Sequence, residues 1–224
     1  MPKICIQAGH KGTLIGQTGA PGERDWNSKI VSLIATKLKT KGFEVYEADA
    51  KADKDSKVTG TDWDLFLAVH YDADIYNDRG GFVDYPDKSV DMVHETSKGY
   101  AEKISDYYFK TTGIPNRPNR SNANTKFYYM WSSLSAKTPC VLIECGVGNR
   151  KPQDYDILRN YDFISQTLTD AILKVFNVSP EKPCDHTACK KDLEDMRNSR
   201  NEWKDKATKA EDKLKKIQEV LNAK

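Results

Sequence analysis

The chain has 224 residues, 38% of them hydrophobic, and 35 Lys and Arg against 33 Asp and Glu leave a net charge of +2. That length holds one catalytic domain with a modest appendage, and the near-neutral balance gives no reason to expect a nucleic-acid partner. No stretch approaches the roughly 18 consecutive apolar residues of a membrane span, and five scattered cysteines make no disulfide framework.

The first strand is Ile4–Ala8, followed by a glycine-rich loop from Gly9 to Glu23. Trp26, Ile30, Leu33, Ile34 and Leu38 recur at helical spacing, and Gly42 closes that helix. Phe43–Tyr46 reads as a strand, then a polar stretch runs to about Asp62. Asp64–His70 is a continuously apolar strand, and Gly80-Gly81 leads into a further strand, Phe82–Tyr85. A helix is expected over Ser89–Lys110, with Val90, Val93, Ala101, Ile104 and Tyr108 near one face. A loop rich in Pro, Asn and Arg spans Gly113–Lys126, Cys140–Glu144 is another buried strand, and a last helix runs over Asp162–Phe176. Alternating strands and helices predict an α/β fold, a mostly parallel sheet flanked by helices on both faces.

The texture changes near residue 178. Every glycine lies at or before Gly148 and the last proline is Pro183, while residues 179–224 hold 12 Lys and Arg and 10 Asp and Glu. Cys189, Leu193, Met196, Arg200, Trp203, Ala207, Ala210, Leu214, Ile217 and Leu221 follow a four-three alternation. This heptad seam predicts a C-terminal helix that associates with a second copy or another helix. A solitary solvated helix is the plainer alternative, since Arg200 and two alanines weaken the seam. The expected organisation is a catalytic domain over 1–177, a linker over 178–188 and a helical coiled-coil segment over 189–224.

His10 follows the first strand, His70 ends the third, Glu144 ends the Cys140–Glu144 strand, and Glu23 precedes the first helix. In parallel α/β sheets the carboxyl ends of strands share one rim, where ligand sites form. Two imidazoles and one carboxylate with an open fourth position make a catalytic zinc set, and a further carboxylate there has work as a proton acceptor. Spacing alone leaves the bland reading open, because a single histidine at a strand end is commonly an ordinary core or surface residue. Glu144 resists that reading: an acid at the end of Val141-Leu142-Ile143 needs a partner or a function. His94 and His186 are the competing ligands, and His94 reads as an exposed mid-helix residue.

Ile4-Cys5-Ile6-Gln7-Ala8-Gly9-His10 followed by Gly19-Ala20-Pro21-Gly22-Glu23-Arg24-Asp25-Trp26-Asn27 resembles the opening of the type 3 zinc-dependent N-acetylmuramoyl-L-alanine amidases. Phe66-Leu67-Ala68-Val69-His70 with Gly80-Gly81 is similar to that family's second histidine block, and Val141–Asn149 to its catalytic-glutamate block. The blocks occur in the family's order across residues 3–176. The resemblance implies Zn2+ at His10, Glu23 and His70, a catalytic role for Glu144, and peptidoglycan as substrate. Gln7 stands where the family usually has Asp, and Lys11 where it usually has Gly. The inserted helical segment of some bacterial members is not expected in residues 71–139, which makes the chain similar to the compact phage endolysins.

Asn116–Lys126 is the candidate groove lining, with Arg117, Arg120 and Lys126 facing peptide carboxylates. The opening Met-Pro-Lys gives no secretory leader, so synthesis in the cytoplasm and action on the bacterial wall after release are expected. Cys5, Cys140 and Cys145 read as buried thiols, Met92 and Met130 as packing residues. Cys184, His186 and Cys189 lack a fourth ligand and make no metal site. The rival classes are a zinc carboxypeptidase or deacetylase acting on cell wall, and a non-catalytic oligomeric wall-binding protein.

Overall fold

The computed structural model of the protein describes residues 1–13, 19–73, 78–89, 92–119, 128, 130–148 and 150–179. The heptad segment, residues 180–188 of the linker and the Cys184/His186/Cys189 set lie outside the described residues.

Five strands form one sheet: β1 (Lys3–Ala8), β2 (Glu44–Ala48), β3 (Leu65–Asp72), β4 (Phe82–Asp84) and β5 (Cys140–Val147), in the order β2-β1-β3-β5-β4. All pairs are parallel except β4 with β5. The mostly parallel sheet is as expected, with one antiparallel edge. The chain leaves β1 toward β2 on one side and reaches β3 on the other, so the topological switch point falls between β1 and β3. In such sheets that is where a ligand crevice opens, outside the carboxyl ends of the strands.

Strand alternation sorts the core into two layers. Ile4, Ile6, Leu65, Leu67, Val69, Val141 and Ile143 face the helices, packing with Trp26, Ile30 and Ile34 of α1 (Glu23–Thr40), Ile104 and Tyr108 of α3 (His94–Thr112), and Leu168 and Ile172 of α5 (Tyr161–Val175). Each large apolar side chain buried this way contributes about 1.5–3 kcal/mol. On the opposite face Cys5, Phe66, Ala68, Phe82, Cys140 and Leu142 are covered by Ala52, Val58, Trp63, Met130, Trp131 and Leu134. The expected helical cover on both faces is thus corrected. The long helices share one face, and among the described residues the other has only the four-residue α2 (Ser56–Thr59) and a 3-10 turn at Ala52–Lys54. Loop side chains such as Trp131 and Leu134 supply the rest of that cover.

Gly22 caps α1, and its φ of 86° turns the chain into the helix. Glu23 and Asp25 occupy its first turn and Lys37 and Lys39 its last, each sign favourable to the helix dipole. α3 starts at His94 rather than Ser89 and ends on Gly113 at φ 71°. Met92, read as a packing residue, is instead 82% exposed, whereas Met130 is fully buried. The unanticipated α4 (Pro152–Leu158) starts with proline in its first turn, and Leu158 accepts the Trp26 indole Nε1–H at 2.8 Å. Cys5, Cys140 and Cys145 are buried thiols, none of them in a disulfide. Among the described residues no helix is long and apolar enough to cross a membrane.

Candidate metal centre and catalytic site

His10 leaves β1 in a tight turn with φ 60°, a left-handed conformation uncommon for a residue with a side chain. The turn is held by the Lys11 amide on the Ala8 carbonyl and by the Thr13 hydroxyl on the His10 carbonyl. Glu23, the first residue of α1, turns back under the glycine-rich loop, where its Oε2 accepts the Ala20 amide at 2.8 Å. His70 comes up from β3.

The three meet at the switch point. Glu23 Oε1 lies 2.9 Å from His70 Nδ1 and 3.4 Å from His10 Nε2, and the two imidazoles stand edge to face with centroids 5.1 Å apart. One donor atom from each lies within 4.8 Å of the others, the one such metal-capable group among the described residues. Two glycines make the approach possible: a Cβ on Gly9 would lie 2.2 Å from His70 Cε1, and one on Gly19 2.1 Å from Glu23 Oε2.

Glu144 stands directly across from His70 in the β3–β5 register. Its Oε2 and His70 Nε2 are both shut off from solvent without a hydrogen-bond partner. The two carboxyls are pushed in opposite directions. Burial raises the Glu23 pKa, but hydrogen bonds from His10 and His70 outweigh it and hold the group down to about 2. Burial pushes Glu144 well above the ordinary carboxylate range, with the charges of Glu23 and Asp72 adding to it. Carboxyls driven apart in this way take different tasks, one a fixed anion and the other a proton carrier.

Two imidazole nitrogens and an ionised carboxylate are the donor set of a zinc-type cation with room for a further ligand. The orphaned polar atoms and the glycine cradle fit such an ion.

His94, the competing histidine, opens α3 rather than lying mid-helix; it is part-buried, with Nδ1 2.8 Å from the Pro86 carbonyl and its ring on Tyr85. Of the expected groove cations, Arg117 pairs with Asp78 at 3.2 Å; Arg120 and Lys126 lie outside the described residues. Sequence reasoning missed the support given by Asn27 and Tyr128, though it had marked Gln7 beside His10. Asn27 donates from Nδ2 to the Gly9 carbonyl at 2.9 Å and to Glu23 Oε1 at 3.3 Å. Its position one helical turn after Glu23 was an available signal. Gln7, in place of the family's usual Asp, is buried; its amide donates to the Asp49 carbonyl and its oxygen accepts from the Tyr128 hydroxyl. The Tyr128 ring stands edge-on to His70 with centroids 6.3 Å apart, a partnership no local spacing announces.

A family model described as N-acetylmuramoyl-L-alanine amidase (Amidase_3) matches residues 4–175. The chain belongs to the type 3 amidase family. The amidase fold recurs in solved structures. Ami1 from Mycobacterium smegmatis superposes with a TM-score of 0.61 at 16% identity, covering 79% of this chain and 97% of that one. The catalytic domain of the CD27L endolysin, targeting Clostridia difficile, gives 0.59 at 20%, covering 81% and 100%. The catalytic domain of CwlV from Bacillus (Paenibacillus) polymyxa var. colistinus gives 0.56 at 19%, covering 80% and 100%. At these identities the likeness establishes the fold. Comparison with curated protein sequences finds no match.

Proposed function

We propose that this amidase is a zinc-dependent, endolysin-like peptidoglycan hydrolase that cleaves the amide bond between N-acetylmuramic acid and L-alanine. His10, Glu23 and His70 hold the metal and Glu144 is the catalytic base. The observation that carries the reading is the convergence of His10, Glu23 and His70 at the switch point, with Glu144, whose buried Oε2 has no hydrogen-bond partner, one strand away. Membership of the amidase family supports the choice of bond.

When bound, zinc supplies Lewis-acid chemistry, polarising a carbonyl and acidifying a water. The chain's own groups do the rest. Glu23 stays ionised because both imidazoles hydrogen-bond it, so the metal-binding set is charged at neutral pH. Asn27 and the Ala20 amide fix its two oxygens. Glu144 accepts the proton of the attacking water as oxygen bonds to the carbonyl carbon. It returns that proton to the L-alanine nitrogen as the C–N bond breaks. Its raised affinity for protons suits a group that must both take and give one.

Replacing Glu144 by Gln tests this directly: zinc content should stay at the wild-type level while lysis of purified walls is lost. A Glu144→Gln protein that still cleaves would sink the assignment. Residues 189–224 are proposed to join copies of the enzyme through their heptad seam. A chain ended at Val178 should then sediment with fewer protomers than the full chain, and an equal number would remove the idea.

A further inference from the structure

β5 does not run straight past Glu144. His70 pairs with Glu144, but Asp72, two residues on, pairs with Val147, three residues on. One extra residue is therefore carried on β5, a β-bulge, and bulges re-aim the side chains beside them. Several contacts hold this one. Gly146 has φ 144°, a backbone conformation closed to ordinary side chains. The Tyr108 hydroxyl donates to the Cys145 carbonyl at 2.9 Å. The Val147 amide donates to Asp154 Oδ2 at 3.2 Å.

Asp154, on α4, is fully buried. The same Oδ2 accepts the Gly80 amide at 2.7 Å, and Oδ1 accepts Arg79 Nε at 2.8 Å. A buried carboxylate is tolerated when charge-assisted bonds of this kind surround it. It joins the end of β5 to the start of β4, where the next residue presses on the catalytic position. A Cβ on Gly81 would lie 2.0 Å from the Glu144 carbonyl oxygen and 2.8 Å from the Gly146 nitrogen. Phe82 then pairs with Glu144 itself.

From this geometry we infer that Asp154 is a positioning residue for Glu144: its clamp on Val147, Gly80 and Arg79 sets where the Glu144 carboxyl stands relative to His10, Glu23 and His70. The inference rests on the reading of Glu144 as proton acceptor. A reacting group displaced by 1 Å costs roughly 100-fold in rate, and the Asp154 carboxylate at the centre of the clamp is fully buried. The loss should fall on kcat rather than KM.

The test compares the full zinc-loaded chain with its Asp154→Asn, Arg79→Gln and Glu144→Gln variants on purified peptidoglycan, with zinc content measured for each. Asparagine keeps one acceptor but turns an NH2 toward donors. Asp154→Asn is expected to lower kcat by about 10- to 100-fold, with KM within about threefold and zinc retained. Arg79→Gln, at the half-exposed end of the clamp, should show a smaller loss of the same kind. Unchanged kcat in folded, zinc-loaded Asp154→Asn overturns the inference, as does a loss carried by KM; should that variant fail to fold, Arg79→Gln decides on the same terms. An active Glu144→Gln protein overturns the base assignment and this inference with it. An active wild type, an inactive Glu144→Gln and an unaltered Asp154→Asn overturn the clamp alone.

Discussion

Gly9 is the position where one methyl group should dismantle the proposed metal centre. Its backbone is not left-handed, so alanine is tolerated there in itself, and the effect isolates the contact. The added carbon would lie 2.2 Å from His70 Cε1 and 2.4 Å from both ring nitrogens, against an ordinary carbon contact of about 3.5–4.0 Å. The imidazole must retreat by more than about 1 Å, and it has little room: His70 is 9% exposed, with the His10 ring 5.1 Å away and Tyr128 beyond. Forced overpacking costs about 1–3 kcal/mol, and metal–ligand distances tolerate only about 0.2 Å of error. Gly9→Ala should therefore weaken zinc binding by at least about 10- to 100-fold, the loss typical when support of a ligand fails. Titration against a competing chelator measures the affinity, and a thermal melt of the metal-free chain separates instability from misplacement. Wild-type zinc affinity in a folded Gly9→Ala protein would refute the reasoning.

Asp84 offers a pH test. It is buried, its Oδ2 has no partner, and burial pushes its pKa to about 7 from the ordinary 3.8. The folded state holds this proton longer than the unfolded chain, so stability is full below about pH 4 and declines as pH rises toward 7. Asp84→Asn should raise stability by a few kcal/mol, on the order expected for such a shift, at pH 8 and bring little at pH 4; equal melting shifts at the two pH values would contradict this. Gly99 lies within α3, and a methyl group added there would meet nothing within 4 Å, so Gly99→Ala should stabilise by about 0.5–1 kcal/mol; a fall in the urea midpoint would refute it. Trp26→Phe removes the bond to the Leu158 carbonyl and leaves a buried acceptor unmet, at a cost of about 1–3 kcal/mol by denaturant unfolding. No loss would show that the bond is replaced.

Much of the site was legible because its residues sit near the carboxyl ends of apolar strands. β1, β3 and β5 are buried on both faces, so they read as continuous hydrophobic runs whose ends are plain. The runs close on His10, His70 and Glu144, although β3 itself continues to Asp72 and β5 to Val147. What escaped acts across distance or without period. Tyr128 reaches Gln7 over a separation of 121 residues, and Asp154 reaches Arg79 over 75. α4 spans 7 residues, too short for a periodic pattern. Cover of the second face comes from Met130, Trp131 and Leu134 in a loop, so alternation of strands and helices overstates the helical layer there. The apolar pattern of α3 reaches back through Val93 and Val90 toward Ser89, ahead of the observed start at His94, and so puts that histidine mid-helix.

Identification of the products released from purified peptidoglycan by the zinc-loaded chain tests the central claim most directly. Cleavage at the proposed bond should free stem peptides that begin with L-alanine and leave glycan strands whose muramic lactyl groups are bare. New reducing sugar ends, free acetate or a released terminal amino acid in their place would contradict it.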